Sequence, residues 1–347
     1  MTPRPTPSGP DVASLRRPAR VRLAWLLAVL AVLALVMLAS VAFGSRVVGW
    51  ADITAALGGA DETLDQAAVI KRLPRTVLAV LVGAALALSG TVMQGVTRNP
   101  LADPGILGVN MGAMLAIAVA MVTVGLSTAT QYIWVAIAGA AISTLFVYGV
   151  GSLGRGGATP LKIALAGAAT SAALASLVVA VVLPRGDIAE NFQSWQVGGV
   201  GGAGWESIVQ VLPFLAGGLA VCLLCARALN SLALGDELAA GLGERVALVR
   251  GVAALGAVVL CGAATAVAGP IAFVGLIVPH MCRLLVGLDH RWLLPFVTLA
   301  GAALLTAADV VGRVVNRPDE IEAGIITALI GAPFFISIVR RQKVREL

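Results

Sequence analysis

The sequence predicts an all-α, polytopic membrane protein with about ten transmembrane helices and both termini in the cytoplasm. Three observations carry this expectation. Between Asp103 and Arg155 lie 51 consecutive residues without a charged side chain, and further uncharged windows of 17 to 32 residues flank them. A charge at the bilayer centre costs about 2.5 to 3.5 kcal/mol on insertion scales, so windows this long mark where hydrocarbon is the solvent. The composition agrees: 59% hydrophobic residues, 12% charged residues and a mean hydropathy of +0.96. Finally, Lys and Arg concentrate in the loops on one side of the apolar windows.

Each span needs about 20 apolar residues, so one bundle can use most of the 347-residue chain. The expected spans are 22–43, 74–96, 105–125, 131–151, 161–183, 206–226, 246–268, 271–287, 292–312 and 322–339. The 51-residue window must hold two helices, turned near Ser127 to Gln131, and the uncharged stretch 251–282 must break at Gly269-Pro270. Residues 1–20 form a basic, Pro-rich cytoplasmic tail, 21–341 a single membrane domain, and 342–347 a cytoplasmic tail. The apolar run Leu23 to Phe43 exceeds the 7 to 15 residues of a signal-peptide core, so it reads as an uncleaved first helix, although Ser40-Val41-Ala42 resembles a cleavage site.

With the N-terminus inside, 17 of the 24 Lys and Arg residues fall on the cytoplasmic side. Arg72, Arg75, Arg313 and Arg317 break the trend beside outer helix ends. Such long side chains can snorkel to the interface, or they can present a docking surface to an acidic partner. The net charge of +6 lies in loops beside spans, which makes it topological information and not a nucleic-acid footprint. Cys222 and Cys225 form a C-x-x-C inside an apolar window with no second pair in reach, so they read as packing. His280 and His290 stand near helix ends without a second ligand at metal spacing, so neither a metal nor a cofactor is expected.

Long ordered strings carry a family resemblance. They are Arg72-Leu73-Pro74-Arg75-Thr76, Gly83 to Gln94, Asn99 to Gly108, Leu234-Gly235-Asp236-Glu237, Ala239-Ala240-Gly241-Leu242-Gly243, Ala268 to His280, Asp289-His290-Arg291 and Ala328 to Phe335. Together they resemble the FecCD family of ABC importer permeases over nearly all of the chain after about residue 20. The resemblance implies a ten-helix subunit that pairs with a second permease copy or a sister permease around a central path. Two cytoplasmic ABC ATPase subunits would sit below it and an extracytoplasmic substrate-binding protein above, with membrane lipid around. The family imports iron-siderophores, haem or cobalamin, and ferric siderophore is the expected cargo.

The same resemblance distributes roles. The loop 227–246 is expected to form two short amphipathic helices broken by Gly241 and Gly243, and Leu234, Gly235, Asp236, Glu237, Ala239, Ala240, Gly241 and Gly243 are its ATPase-coupling residues. Resting on lipid headgroups is the plainer reading of such a loop. No G-x-x-x-x-G-K-[ST] string occurs, so ATP hydrolysis must come from a partner. In the span 161–183, Gly167, Ser171 and Ala175 recur at helical spacing with Ala164 and Ala168 beside them. This small face serves close packing or, by the family arrangement, the pathway wall. Thr159, Pro160 and Leu161 match the cytoplasmic gate region, where Pro160-Leu161 departs from the family's small hydroxyl residues. Gln196, Gly198 and Gly199, in the run Trp195 to Gly202, read as a short re-entrant element at the outer mouth or as a flexible loop. Arg72, Arg75 and Arg313 align with positions that pair with glutamates of the binding protein, for which a planar guanidinium is suited. Asp309 lies four residues before Arg313 and could instead pair with it along the helix. Glu322 stands where the family usually has proline.

Two rival classes are open to test. The Pro/Gly breaks at Asn99 to Gly108 and Gly269 to Pro279 occupy comparable places, as in an ion-coupled secondary transporter with an inverted repeat. That class expects an intramembrane carboxylate or His relay, and Asp309 is the one acidic candidate within a span, near its outer end. A membrane-embedded enzyme would need a convergent nucleophile, metal or acid/base set, which the spans do not supply.

Overall fold

A computed structural model of the chain describes residues 18–126, 129–153, 160–186, 192 and 195–343. Among them ten apolar helices form a bundle: α1 (Ala19–Ala42), α3 (Leu64–Thr97), α4 (Val109–Val124), α5 (Ala129–Ser152), α6 (Pro160–Val182), α7 (Trp205–Leu224), α10 (Val246–Ala268), α11 (Val274–Val286), α12 (His290–Val315) and α13 (Ala323–Lys343). Three short helices lie at the ends: α2 (Trp50–Leu57), α8 (Ala226–Ala233) and α9 (Asp236–Gly241). Seven helices are long and apolar enough to cross a membrane, and α4, α11 and the apolar part of α13 are shorter. These ten are the expected spans. The tails 1–17 and 344–347 and the turn residues Ser127 and Thr128 lie outside the described residues.

The largest difference from expectation is α3, which starts ten residues before the expected position 74. A capping box sets that start: Thr63 Oγ1 accepts from the Gln66 N–H at 3.2 Å and Gln66 Oε1 accepts from the Thr63 N–H at 3.3 Å. Arg72 therefore lies inside the helix rather than ahead of it, and Pro74 and Arg75 lie well within it instead of at its start. The expected span 105–125 divides instead into a 3₁₀ turn, Pro104–Leu107, and α4, separated by the left-handed Gly108. The break at Gly269-Pro270 stands, and it runs on to the left-handed Phe273, which leaves α11 only 13 residues, about 20 Å.

Helix α3 is the axis of the packing. It meets α12 where Gly83 faces Gly301 and α11 where Gly90 faces Gly275, and a Cβ at either α3 glycine would overlap the opposing backbone. In lipid, small residues let helices approach until dispersion contacts hold them. The two Pro/Gly breaks meet here as well: Gln94 Nε2 donates to the Gly275 carbonyl at 3.1 Å, and the Asp103 carboxylate packs on Gly275.

Candidate functional site

Three regions hold the expected site residues. At one end of the bundle, α8 and α9 are joined at Gly235, whose φ of +109° is a conformation that side-chain-bearing residues avoid. The break between the two short helices thus falls at Gly235, and Gly241 and Gly243 end the second helix instead of dividing the pair. Ala239 is fully buried and anchors α9, whereas Glu237, Ala240, Gly241 and Gly243 are exposed. Leu234, Leu238 and Leu242 recur every fourth residue on the exposed side, 58%, 62% and 66% accessible. Leu238 and Leu242 were legible as an i, i+4 stripe but are masked in sequence by the Ala-Ala-Gly core around them. Asp236 pairs with Arg98 and Arg250. Nearby, Asn230 Nδ2 donates to Asp289 Oδ1 at 2.7 Å and Asn230 Oδ1 accepts from the His290 N–H at 2.8 Å, which ties α8 to α12.

At the opposite end, beside α2, Arg72, Arg75 and Arg313 are buried and satisfied inside the chain. Arg75 makes a two-pronged contact with Asp309, Nε and Nη2 donating to Oδ1 at 3.0 and 2.8 Å, and its Nη1 donates to Glu320 Oε2 at 2.5 Å. Arg313 Nη2 approaches Asp309 Oδ2 at 2.8 Å, so the intrahelical pairing allowed by the sequence is formed. Arg313 also donates to the Ser40 carbonyl, and Arg72 donates to the carbonyls of Val41, Ala42 and Arg46. These arginines close the ends of α1, α3 and α12 together. Burial pushes Glu320 up, but the hydrogen bond and charge of Arg75 outweigh it and hold the carboxyl below its ordinary range.

The glycine run beside them is a packed seam and not a free loop. The Gly199 N–H donates to the Ala268 carbonyl at 2.8 Å and the Gly324 N–H to the Gly198 carbonyl at 2.9 Å, so the seam is stitched to α10 and α13. Side chains at Gly198, Gly269 or Gly324 would overlap the facing backbone. Gln196 is exposed, Gly198 buried and Gly199 half-buried against the Glu322 carboxylate. Burial, reinforced by Asp309 and Glu320 and offset by Arg75, pushes Glu322 up, and one of its oxygens is enclosed without a hydrogen-bond partner among the described residues. Tyr132, Trp195, Ser207 and Glu322 line an adjoining cavity of about 310 Å³.

The third region is α6. Pro160 and Leu161 open it, and Thr159 lies outside the described residues. Gly167 is buried and the Ser171 hydroxyl is enclosed near Gly108, so this stripe packs into the bundle. Ala164 is half-buried, while Ala168, Ala169, Ala172, Ala173 and Ser176 form the exposed small face. Elsewhere, Cys222 is buried in the α7–α10 contact, and the His280 ring packs edge-on to Phe334 at 5.8 Å. Among the described residues, no group of three or more His, Cys, Asp or Glu is placed to hold a metal.

A bundle of apolar helices, seven of them long enough to cross a membrane, with a glycine seam at one end and a pair of short helices at the other, fits a multi-pass membrane transport permease. The FecCD transport family matches residues 32–341, and this chain belongs to that family. It is 45% identical to the iron(3+)-hydroxamate import system permease of Bacillus subtilis, over 78% of this chain and 71% of that one. It is 43% identical to the ferric enterobactin transport system permease of Escherichia coli, over 87% of this chain and 91% of that one. Among solved structures it resembles a metal-chelate type ABC transporter in an inward-facing conformation, with a TM-score of 0.77, 29% identity, and coverage of 92% of this chain and 99% of the other.

Proposed function

We propose that this chain forms the translocation path of an ABC importer for ferric siderophore chelates. The observation that carries the reading is that the relatives at 45% and 43% identity, matched over most of the chain, are both ferric-chelate permeases. Energy would come from two cytoplasmic ATPase subunits, with no cofactor in the permease itself. The exposed Leu234, Leu238 and Leu242 stripe supports an ATPase seat, because a stable apolar row outside the hydrocarbon needs a partner to cover it. On this reading both termini and the loop 227–246 would be cytoplasmic, which the excess of Lys and Arg on that side supports.

The binding protein would dock around Arg72, Arg75 and Arg313 at the α2 end. Since those guanidiniums are already bonded, a partner carboxylate would engage Arg75 by displacing Glu320, its most exposed internal partner. The exposed alanine face of α6 would meet the second permease subunit and line the path with it, and the seam at Gln196, Gly198 and Gly199 would be the outer gate. Opposition from Arg75 and Arg313 makes Asp309 a structural anion rather than an ion-coupling site.

Deleting the gene and measuring uptake of radio-iron-labelled ferric hydroxamate, labelled cobalamin and haemin tests the cargo. Loss of ferric hydroxamate uptake alone is expected, and loss confined to cobalamin or haemin would overturn the assignment. Uptake that persists when the partner ATPase is inactivated would overturn the importer class.

A further inference from the structure

One carboxylate ties α9 to the rest of the bundle. Asp236 Oδ1 lies 3.1 Å from Arg98 Nη2 in an ion pair and accepts a hydrogen bond from Arg250 Nη2 at 2.8 Å. Arg98 caps the end of α3 in a left-handed conformation, φ +50°, which a residue with a side chain holds only when its surroundings fix it. Its guanidinium lies against Gly235, the residue that sets the angle between α8 and α9. Arg250 sits near the start of α10, and its Nε is enclosed in the protein, so this side chain has little room to swing.

Both arginines sit on helices that run the length of the bundle. The 23 residues of α10 span about 34 Å, and its last carbonyl, Ala268, holds the Gly199 end of the seam. Helix α3 carries Arg75 toward its far end, within the ion network beside that seam. A displacement of α9 therefore has two stiff rods to act on, and Asp236 Oδ1 is a polar contact that reaches both.

Resting on the reading of α9 as the ATPase seat, we propose that Arg98, Asp236 and Arg250 form the joint that passes movement of a seated ATPase into α3 and α10. Arg98 and Arg250 are positioning residues in this scheme, since each pairs with Asp236 and neither belongs to the leucine stripe. Ion pairs as exposed as these add little to folding stability, so their loss should disturb transmission and not the fold.

The test uses the complete importer, permease with ATPase and binding protein, in proteoliposomes supplied with radio-iron-labelled ferric hydroxamate. Arg98→Gln and Arg250→Gln are expected to bind the ATPase and keep its basal hydrolysis, while uptake per ATP hydrolysed falls severalfold. Arg250→Lys, which keeps the charge, should restore much of it. Asp236→Asn breaks both pairs without changing shape and should lower uptake per ATP to the same level, and adding Arg250→Gln to it should lower it no further. Unchanged uptake per ATP in both glutamine variants and in Asp236→Asn overturns the joint and leaves the seat intact. Loss of ATPase binding in the glutamine variants also overturns it, because the arginines would then belong to the contact itself. A wild-type chain that fails to bind the ATPase overturns the seat on which the joint rests.

Discussion

The most apolar windows of α3 and α6 are equally hydrophobic, yet 78% of that window in α3 is buried inside the chain and only 17% of that in α6. Apolarity chose the solvent for both and the neighbours for neither. Lipid tails compete with protein side chains for an apolar surface, so burial in a bundle is decided by close approach and by polar pairing. Helix α3 has both, through glycines where α11 and α12 cross it and through arginines whose acceptors lie on α1, α12 and the loop before α13. Helix α6 turns its Gly167 and Ser171 stripe inward and leaves an alanine face exposed among the described residues. The contrast separates a helix that holds the subunit together from one that meets what lies beyond it.

The largest expected effect breaks the polar half of this contrast. Asp309→Ala would leave Arg75 and Arg313 buried without their shared carboxylate, at a cost of about 3 to 5 kcal/mol. A large drop in the thermal unfolding midpoint of the detergent-solubilised protein should show it, and an unchanged midpoint would mean the arginines find other acceptors. Next comes packing: Gly90→Ala forces a methyl group into the Gly275 backbone and should destabilise by about 1 to 3 kcal/mol. Ala172→Leu on the exposed face of α6 should shift stability by no more than about 0.5 kcal/mol, yet it should depress ferric-chelate uptake. If it instead unfolds the protein as Gly90→Ala does, the two helices do not differ in the way described.

The smallest effect concerns the seam. The packed environment raises Glu322 above its ordinary range by burial, so the packed seam favours its protonated form. Its stabilising contribution is present below the ordinary glutamate range and lost as pH rises through the raised value. Amide exchange at Gly199 to Gly202, corrected for intrinsic rates, should therefore quicken from acidic to neutral pH. Glu322→Gln should flatten that dependence, and a wild-type profile already flat would remove Glu322 from the account.

Reading along the chain found all ten apolar helices because charge-free length is a local property. It misplaced the start of α3 because Pro74 and two arginines look like a boundary until their acceptors, far away in sequence, are in place. It proposed Gly241 and Gly243 as the divide of the elbow, whereas the break between α8 and α9 falls at Gly235, φ +109°, and Gly243, φ +89°, turns the chain after α9; no composition tells which glycine divides the pair. The leucines of α9 were missed although their spacing was visible. Arg72, Arg75 and Arg313 were singled out as a group through resemblance, but the burial and anchoring of Arg75 were not readable, because Asp309 and Glu320 reach it across more than 230 residues.

Hydrophobic length, charge placement and family motifs were enough to determine a polytopic helical permease, because each depends on residues near one another in the chain and on their exchange between water and hydrocarbon. Which face of α6 packs inward, which cations are bonded, and how one carboxylate joins α9 to α3 and α10 were decided only in three dimensions. Those outcomes depend on atoms brought within about 3 Å by the crossing of distant helices, a distance at which hydrogen bonds form and which no linear spacing encodes.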